Sequence, residues 1–179
     1  GQLVNEDHNW WVLEVSSFQI DGFRDFKPSI AILTNITPDH LDRYDYKIEN
    51  YILSKMSLFK NMTNHEKGIA FLEDTLTQKG FAMNKPMAEM HWISLAQKQE
   101  KGGYSDMEVL EIATAENSVS IPVSCLSVQG KHNVLNALCA GTAALLVGLN
   151  EAQLISGFQS FKNAPNRMEL IREIDGVRF

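Results

Sequence analysis

Two cysteines, Cys125 and Cys139, are all that this 179-residue chain holds, too few and too far apart for a zinc ribbon or a CxxC redox pair. Both read as reduced packing residues, Cys139 within an apolar helical stretch. No run of lysine and arginine stands out and the formal net charge is -6, so neither a nucleic-acid groove nor an anionic membrane surface is an expected partner. There is no stretch of about 18 uninterrupted apolar residues, and no basic start leads into a signal-type apolar core. The expectation is a cytoplasmic protein, with the monomer favoured. Internal repeats and low-complexity tracts are missing too. Ser16-Ser17 lacks a GxSxG elbow, which leaves a substrate-binding hydroxyl or a plain ST-turn in preference to an acyl-enzyme serine.

What is present suffices for one full core, with 44% hydrophobic residues. The chain reads as a piece of a longer protein, since it has no starting methionine and stops at Phe179 in what reads as the return arm of a hairpin.

Trp10 to Val15 and Ser29 to Thr34 are short, β-rich and nearly continuously apolar, as strands buried on both faces of a parallel sheet are. A helix from about Lys47 to Asn61, a strand near Gly68 to Leu72, a helix near Thr75 to Met83 and a strand near Met90 to Ser94 continue the alternation. The fold class is therefore α/β, a mostly parallel sheet flanked by helices. Between Lys98 and Val123 the pattern turns antiparallel and predicts a small side sheet, with Gly102-Gly103 as a turn. Two helices follow, His132 to Leu149, ended by Gly148 and Asn150, and Glu151 to Phe161. Asn163 to Arg167 reads as a linker, and Asp175-Gly176 as a type I′ hairpin signal.

Chemistry should gather at the carboxyl ends of the parallel strands. Glu14 to Ser17 and Asn35 to His40 are placed there. Lys55 falls inside the apolar stripe of Ile48, Tyr51, Ile52, Met56 and Phe59 rather than on the opposite face. Such a lysine either snorkels to water or a carboxylate or, desolvated, becomes a nucleophilic amine able to take up carbon dioxide as an anionic carbamate. Glu14, Asp39, His40 and Lys55 would then share one edge, where carboxylate and imidazole can hold a divalent cation such as magnesium. A buried Glu14 and Lys55 pair beside a loop histidine is the plainer alternative. Asn133 and Asn136 open the long helix on one face; a carboxamide suits a purine edge, although spacing alone favours a cap role for Asn133. Arg167 is either a phosphate partner or a solvated linker residue. Asp42 and Asp45 read as solvated, and His8, His65 and His91 as structural or surface residues.

Glu14-Val15-Ser16-Ser17-Phe18-Gln19, then Thr34-Asn35-Ile36-Thr37-Pro38-Asp39-His40-Leu41-Asp42-Arg43, then Lys55, then Gly130-Lys131-His132-Asn133-Val134-Leu135-Asn136-Ala137 resemble, in order and spacing, the central domain of the ATP-dependent Mur ligases. The likeness runs from Trp11 to Arg167. It implies a P-loop-like domain over residues 1–163 that lacks its glycine-rich phosphate loop, followed at 164–179 by a linker and the start of a C-terminal ligase domain. It also implies a cytoplasmic step of peptidoglycan synthesis, and so of cell-wall biogenesis, cell shape and division, which this piece alone would not catalyse. Ser16 to Gln19 are most similar to the D-glutamate-adding branch. The substrates implied are UDP-N-acetylmuramoyl-L-alanine, D-glutamate and ATP, joined through an acyl phosphate. By position, Glu14 and His40 match magnesium ligands, Lys55 the carbamylated lysine, Ser16 a residue near the substrate, Asn133 and Asn136 the adenine contacts, and Arg167 the arginine that opens the C-terminal domain. Asn166 stands before it where that branch more often has histidine.

Competing readings are a folylpolyglutamate synthase-like ligase, against which Ser16 to Gln19 argue, a noncatalytic nucleotide-binding module, and a metal hydrolase built on Asp39, His40 and Asp42.

Overall fold

The computed structural model describes residues 8–162 and the backbone of two short strands, Glu173–Ile174 and Val177–Arg178. The linker Asn163 to Arg167, the boundary at 163/164, Asn166 and the Asp175-Gly176 turn lie outside the described residues. The strands flanking that turn do pair antiparallel, Glu173 with Arg178 and Ile174 with Val177.

The fold is α/β, built on one six-stranded sheet ordered β1 (Ile30–Leu33), β2 (Lys67–Phe71), β3 (Glu89–Ser94), β4 (Gly102–Ser105), β5 (Val109–Ala113), β6 (Ser118–Pro122). The pairs β1/β2, β2/β3 and β3/β4 are parallel, while β4/β5 and β5/β6 are antiparallel. Strand periodicity sends alternate residues to opposite faces, and two cores result. On one side, Ala31, Leu33 and Ala70 share one core with α1 (Ser17–Asp21) through Ile20, α2 (Ile48–Met56) through Ile52 and Met56, the 3₁₀ turn after it through Phe59, and α3 (Thr75–Met83) through Leu76 and Phe81. Ile69, Ile93, Leu110, Ile112 and Ile121 meet α4 (Lys131–Leu146) and α5 (Glu151–Ser160) on the other through Val134, Leu138 and Leu154.

Local chemistry sets the helix ends. Asp74 caps α3 by accepting from Thr77 N, and Asn150 with Gln153 forms a capping box on α5. After α4, Gly148 takes φ 90°, and the amides of Gly148 and Leu149 donate to Leu145 and Ala144 carbonyls, a Schellman ending. No helix among the described residues is long and apolar enough to cross a membrane.

Three sequence expectations are corrected. Trp10 to Val15 forms no strand; it is irregular, and Val12 is 99% exposed. β-rich composition becomes a strand only where a ladder accepts it, and β1 pairs with β2 alone, leaving its other edge without a partner among the described residues. Glu14 therefore stands in a loop, at no strand end. The antiparallel strands extend the main sheet and form no separate side sheet. Gly102-Gly103 is the start of β4, where the register sets Gly102 beside Trp92.

One charge cluster braces the opposite end of the sheet. Glu89 accepts from Lys101 at 2.6 Å and from its cross-strand neighbour Lys67. Those two bonds hold its carboxyl down from the ordinary 4.5 to about 2. A depressed folded-state pKa gives stability that is present above the unfolded value and lost as pH falls toward the folded one. Denaturant midpoints are thus expected to drop between about pH 4.5 and about pH 2, with a shallower drop in Glu89→Gln. Glu66, held at about 2 chiefly by Lys27, titrates in the same window and supplies the slope that remains.

Candidate functional site

At the carboxyl edge, the chain leaving β1 is clamped by the β2/α3 turn. Asp74 Oδ2 accepts from Ile36 N at 3.2 Å as well as from Thr77 N at 2.8 Å. Its neighbour Glu73 accepts from Ser94 Oγ and from Leu95 N, tying down the exit of β3. Asp74 thus fixes the strand exit that leads to His40. Asp74→Ala removes a helix cap and a loop anchor together, and is expected to cost about 1–2 kcal/mol, read from the urea midpoint.

His40 adopts the left-handed region, φ 49° and ψ 36°, at the head of a 3₁₀ turn, Leu41–Tyr44. Its imidazole is exposed, with Nε2 3.4 Å from Asp39 Oδ2, and its amide donates to Asp39 Oδ1 at 2.8 Å. A carboxylate beside one ring nitrogen orients the ring and leaves the other nitrogen open to a ligand.

Ser16 is the N-cap of α1, in a reciprocal capping box with Gln19. This keeps Phe18 on a fixed helical turn, and a row of rings runs from it. Phe18 lies 5.4 Å from His40 and is stacked on Tyr44 at 6.3 Å; Tyr44 meets Tyr51 edge-on at 5.2 Å. The Arg43 guanidinium covers the Phe18 ring at 4.4 Å. The row ends at Lys55, whose Nζ stands 5.6 Å over the Tyr51 ring, within cation–π range. His40 and Lys55 are therefore linked through packed aromatics on α1, the 3₁₀ turn and α2.

Lys55 is half-buried, at the margin of a stripe whose centre is Tyr51, Ile52, Ser54 and Met56. It makes no ion pair among the described residues, so the buried Glu14 and Lys55 pair is absent. Glu14 is exposed, two residues ahead of the α1 cap. The donors Glu14 and His40, a carboxylate and an imidazole both open to solvent, suit magnesium completed by water. Among the described residues no three His, Cys, Asp or Glu side chains gather as a metal cluster, so the hydrolase set of Asp39, His40 and Asp42 is not assembled. His91 is buried on β3, and burial lowers its pKa. The Cys139 thiol is pushed up to about 12 by burial alone, in keeping with a packing role.

On the other face of the sheet, α4 starts at Lys131 with Gly130 as its cap residue, so Asn133 is not the N-cap; its Nδ2 instead donates to Gln129 O at 2.7 Å. Asn136 makes no side-chain hydrogen bond among the described residues and is exposed. Both line a largely apolar cleft of about 320 Å³ between α4, α5 and residues 126–128, with Ala137, Ala140 and Phe158 as walls. Ser127 holds that cleft shut at its base, its amide donating to Phe158 O and its hydroxyl to Phe161 O. The cleft is thus lined mainly by apolar side chains, with the Asn136 carboxamide unengaged among the described residues and the Asn133 carboxamide tied to Gln129 O. Arg167 lies outside the described residues.

Sequence reading missed the roles of Asp74, Gln19 and Tyr51. Asp74 before Thr75 and Ser16 three before Gln19 are ordinary cap signals. Tyr51 carried a usable one, its position four residues before Lys55 on the same helical face.

A family model described as the Mur ligase middle domain matches residues 1–144. A UDP-N-acetylmuramoylalanine–D-glutamate ligase from Christiangramia forsetii is 38% identical over 177 residues, 99% of this chain and 40% of the relative. One of the same name from Cytophaga hutchinsonii is 39% identical over 183 residues, with the same coverage. The chain spans about 40% of the length of these curated relatives. Among solved structures, a MurF from Acinetobacter baumannii superposes with a TM-score of 0.59 at 18% identity, over 83% of this chain and 32% of that one. A murein peptide ligase from Psychrobacter arcticus gives 0.56 at 19%, over 86% and 31%. These two likenesses speak to the fold.

Proposed function

The chain belongs to the Mur ligase middle-domain family, and on that premise we propose that its parent protein is a cytoplasmic ATP-dependent ligase joining D-glutamate to UDP-N-acetylmuramoyl-L-alanine in peptidoglycan synthesis. The observation that carries this reading is 38% identity to a D-glutamate ligase across nearly the whole chain. In the reaction, the γ-phosphoryl of ATP passes to the alanine carboxylate. The D-glutamate amine then attacks the acyl phosphate, forming the amide and releasing phosphate and a proton. Positioning and charge stabilisation supply most of the rate in such transfers.

Each residue then has a task. Asn133 and Asn136 bind the adenine edge in the cleft on α4, and Arg167 pairs with phosphate. Glu14 and His40 hold magnesium, which when bound offsets the charge of the migrating phosphoryl group. The Lys55 amine, in its neutral form, adds carbon dioxide and releases one proton to give a carbamate that faces the same edge. Ser16, engaged in its cap, offers its hydroxyl to the nucleotide-sugar substrate.

The test is phosphate release by the full-length protein with ATP and UDP-N-acetylmuramoyl-L-alanine, comparing D-glutamate with L-lysine and D-alanyl-D-alanine. Release with D-glutamate alone is expected. Release with either of the others in its place, or none with any, refutes the assignment.

A further inference from the structure

The side chains given tasks at the carboxyl edge sit on three separate short elements. Glu14 and Ser16 lead into α1, His40 heads the 3₁₀ turn, and Lys55 rides on α2. No hydrogen bond or ion pair among the described residues joins Glu14, His40 and Lys55 to one another. Their mutual placement must come from beneath them.

Beneath them is a hydrogen-bond triangle whose corners belong to the same three elements. Asp21, the last residue of α1, accepts from Ser54 Oγ at 2.6 Å through Oδ1 and from Tyr44 OH at 3.0 Å through Oδ2. The two hydroxyls are 3.2 Å apart. Tyr44 closes the 3₁₀ turn that His40 heads, and Ser54 immediately precedes Lys55 on α2. Tyr44 and Ser54 are each 8% exposed, so their hydroxyls need protein partners. One carboxylate serves both. Without it Tyr44 OH keeps only Ser54 Oγ as a partner, and Ser54 Oγ keeps only a long 3.5 Å bond to Ser17 O, so the two short bonds that tie α1 to the other elements are lost.

We propose that Asp21, with Tyr44 and Ser54, is the positioning device of the ligase site: it sets the rotation of α2 that aims Lys55 toward His40 and Glu14, and touches no substrate itself. This rests on the functional reading above. Leverage explains why so small a cluster matters. A rotation of about 10° about the helix axis displaces a group about 6 Å from that axis by about 1 Å, and a misplacement of about 1 Å can cost about 10²-fold in rate.

The experiment uses the full-length protein, with phosphate release measured against ATP and magnesium and folding followed by thermal melting. Asp21→Leu is expected to lower kcat by about 10²-fold and to raise the magnesium concentration needed for half-maximal rate. KM for ATP should stay within about twofold, because the purine cleft lies on the other face of the sheet. Asp21→Asn keeps one acceptor and offers an amide to the Tyr44 oxygen, so kcat should return to within about threefold of wild type. In a Lys55→Ala background, Asp21→Leu should add no further loss.

A folded Asp21→Leu protein with wild-type kcat and magnesium response overturns the proposal. So does an Asn variant as impaired as the Leu variant, which would make the charge itself a participant, or full additivity with Lys55→Ala. Should Asp21→Leu fail to fold, Tyr44→Phe and Ser54→Ala each remove one hydroxyl without added bulk; a fall of about tenfold in kcat is then expected, and wild-type rates in both overturn it. A wild-type protein inactive with D-glutamate refutes the functional reading and this inference with it, whereas active wild type with unimpaired triangle variants refutes the inference alone.

Discussion

Lys55→Ala in the full-length protein is expected to cut phosphate release by about 10³-fold, the range seen when one preorganised charge-stabilising group is lost. The side chain leaves a half-buried position at the end of the Phe18, Tyr44, Tyr51 row, so its removal opens a gap beside the Tyr51 ring without emptying the core. Folding should survive, and the melting temperature should shift little. The carbamate reading makes a sharper prediction. A short-chain carboxylic acid, entering that gap, should restore part of the rate, while bicarbonate alone should not. Lys55→Arg should fail as badly as alanine, because a guanidinium that stays protonated cannot take up carbon dioxide. Wild-type-like turnover in Lys55→Ala would remove the lysine from the mechanism.

Gly102→Val is expected to abolish the fold. Gly102 adopts φ 124°, and a Cβ there would lie 2.0 Å from Trp92 O and 2.6 Å from Trp92 N, both backbone atoms of the adjoining strand. Neither atom can retreat without opening the β3/β4 pair, which joins the parallel half of the sheet to the antiparallel half. Strain at such a dihedral alone costs about 1–3 kcal/mol, and the collision takes the total beyond about 4 kcal/mol, much of what an ordinary domain has. The expected observation is loss of the cooperative thermal transition. Gly157→Ala, where nothing lies within 4 Å of the added carbon, should melt as wild type does or slightly higher.

The parts of the fold that could be read from the letters are those with local causes. The α3 boundaries Thr75 and Met83 follow from a cap residue and an apolar period, and the ending of α4 follows from Gly148. Trp10 to Val15 failed because strand propensity states what a segment can do, and pairing depends on a neighbour elsewhere in the chain. Gly102-Gly103 failed for a related reason: glycine marks both turns and places where backbones crowd, and only the approach of Trp92 decides between them. The site divides in the same way. Lys55 was conspicuous because it interrupts a stripe. Asp21, Tyr44 and Ser54 were not, since the acid is separated from its partners by 23 and 33 positions and no periodicity connects them. Asn133 suits a cap by residue type, but α4 begins at Lys131 after Gly130, which places Asn133 in the first turn, and residue type alone does not locate a helix start.

The outer edge of β1, unpaired among the described residues, has a practical consequence for anyone handling this polypeptide by itself. The side of Ile30–Leu33 that pairs with no strand among the described residues, together with the exposed Trp10, Trp11, Val12, Leu13 and Ile32, offers a second molecule both a ladder and a greasy seat. Concentrated samples should be prone to sticking edge to edge, and a lysine at Ile32, the exposed position of that strand, is expected to keep them apart.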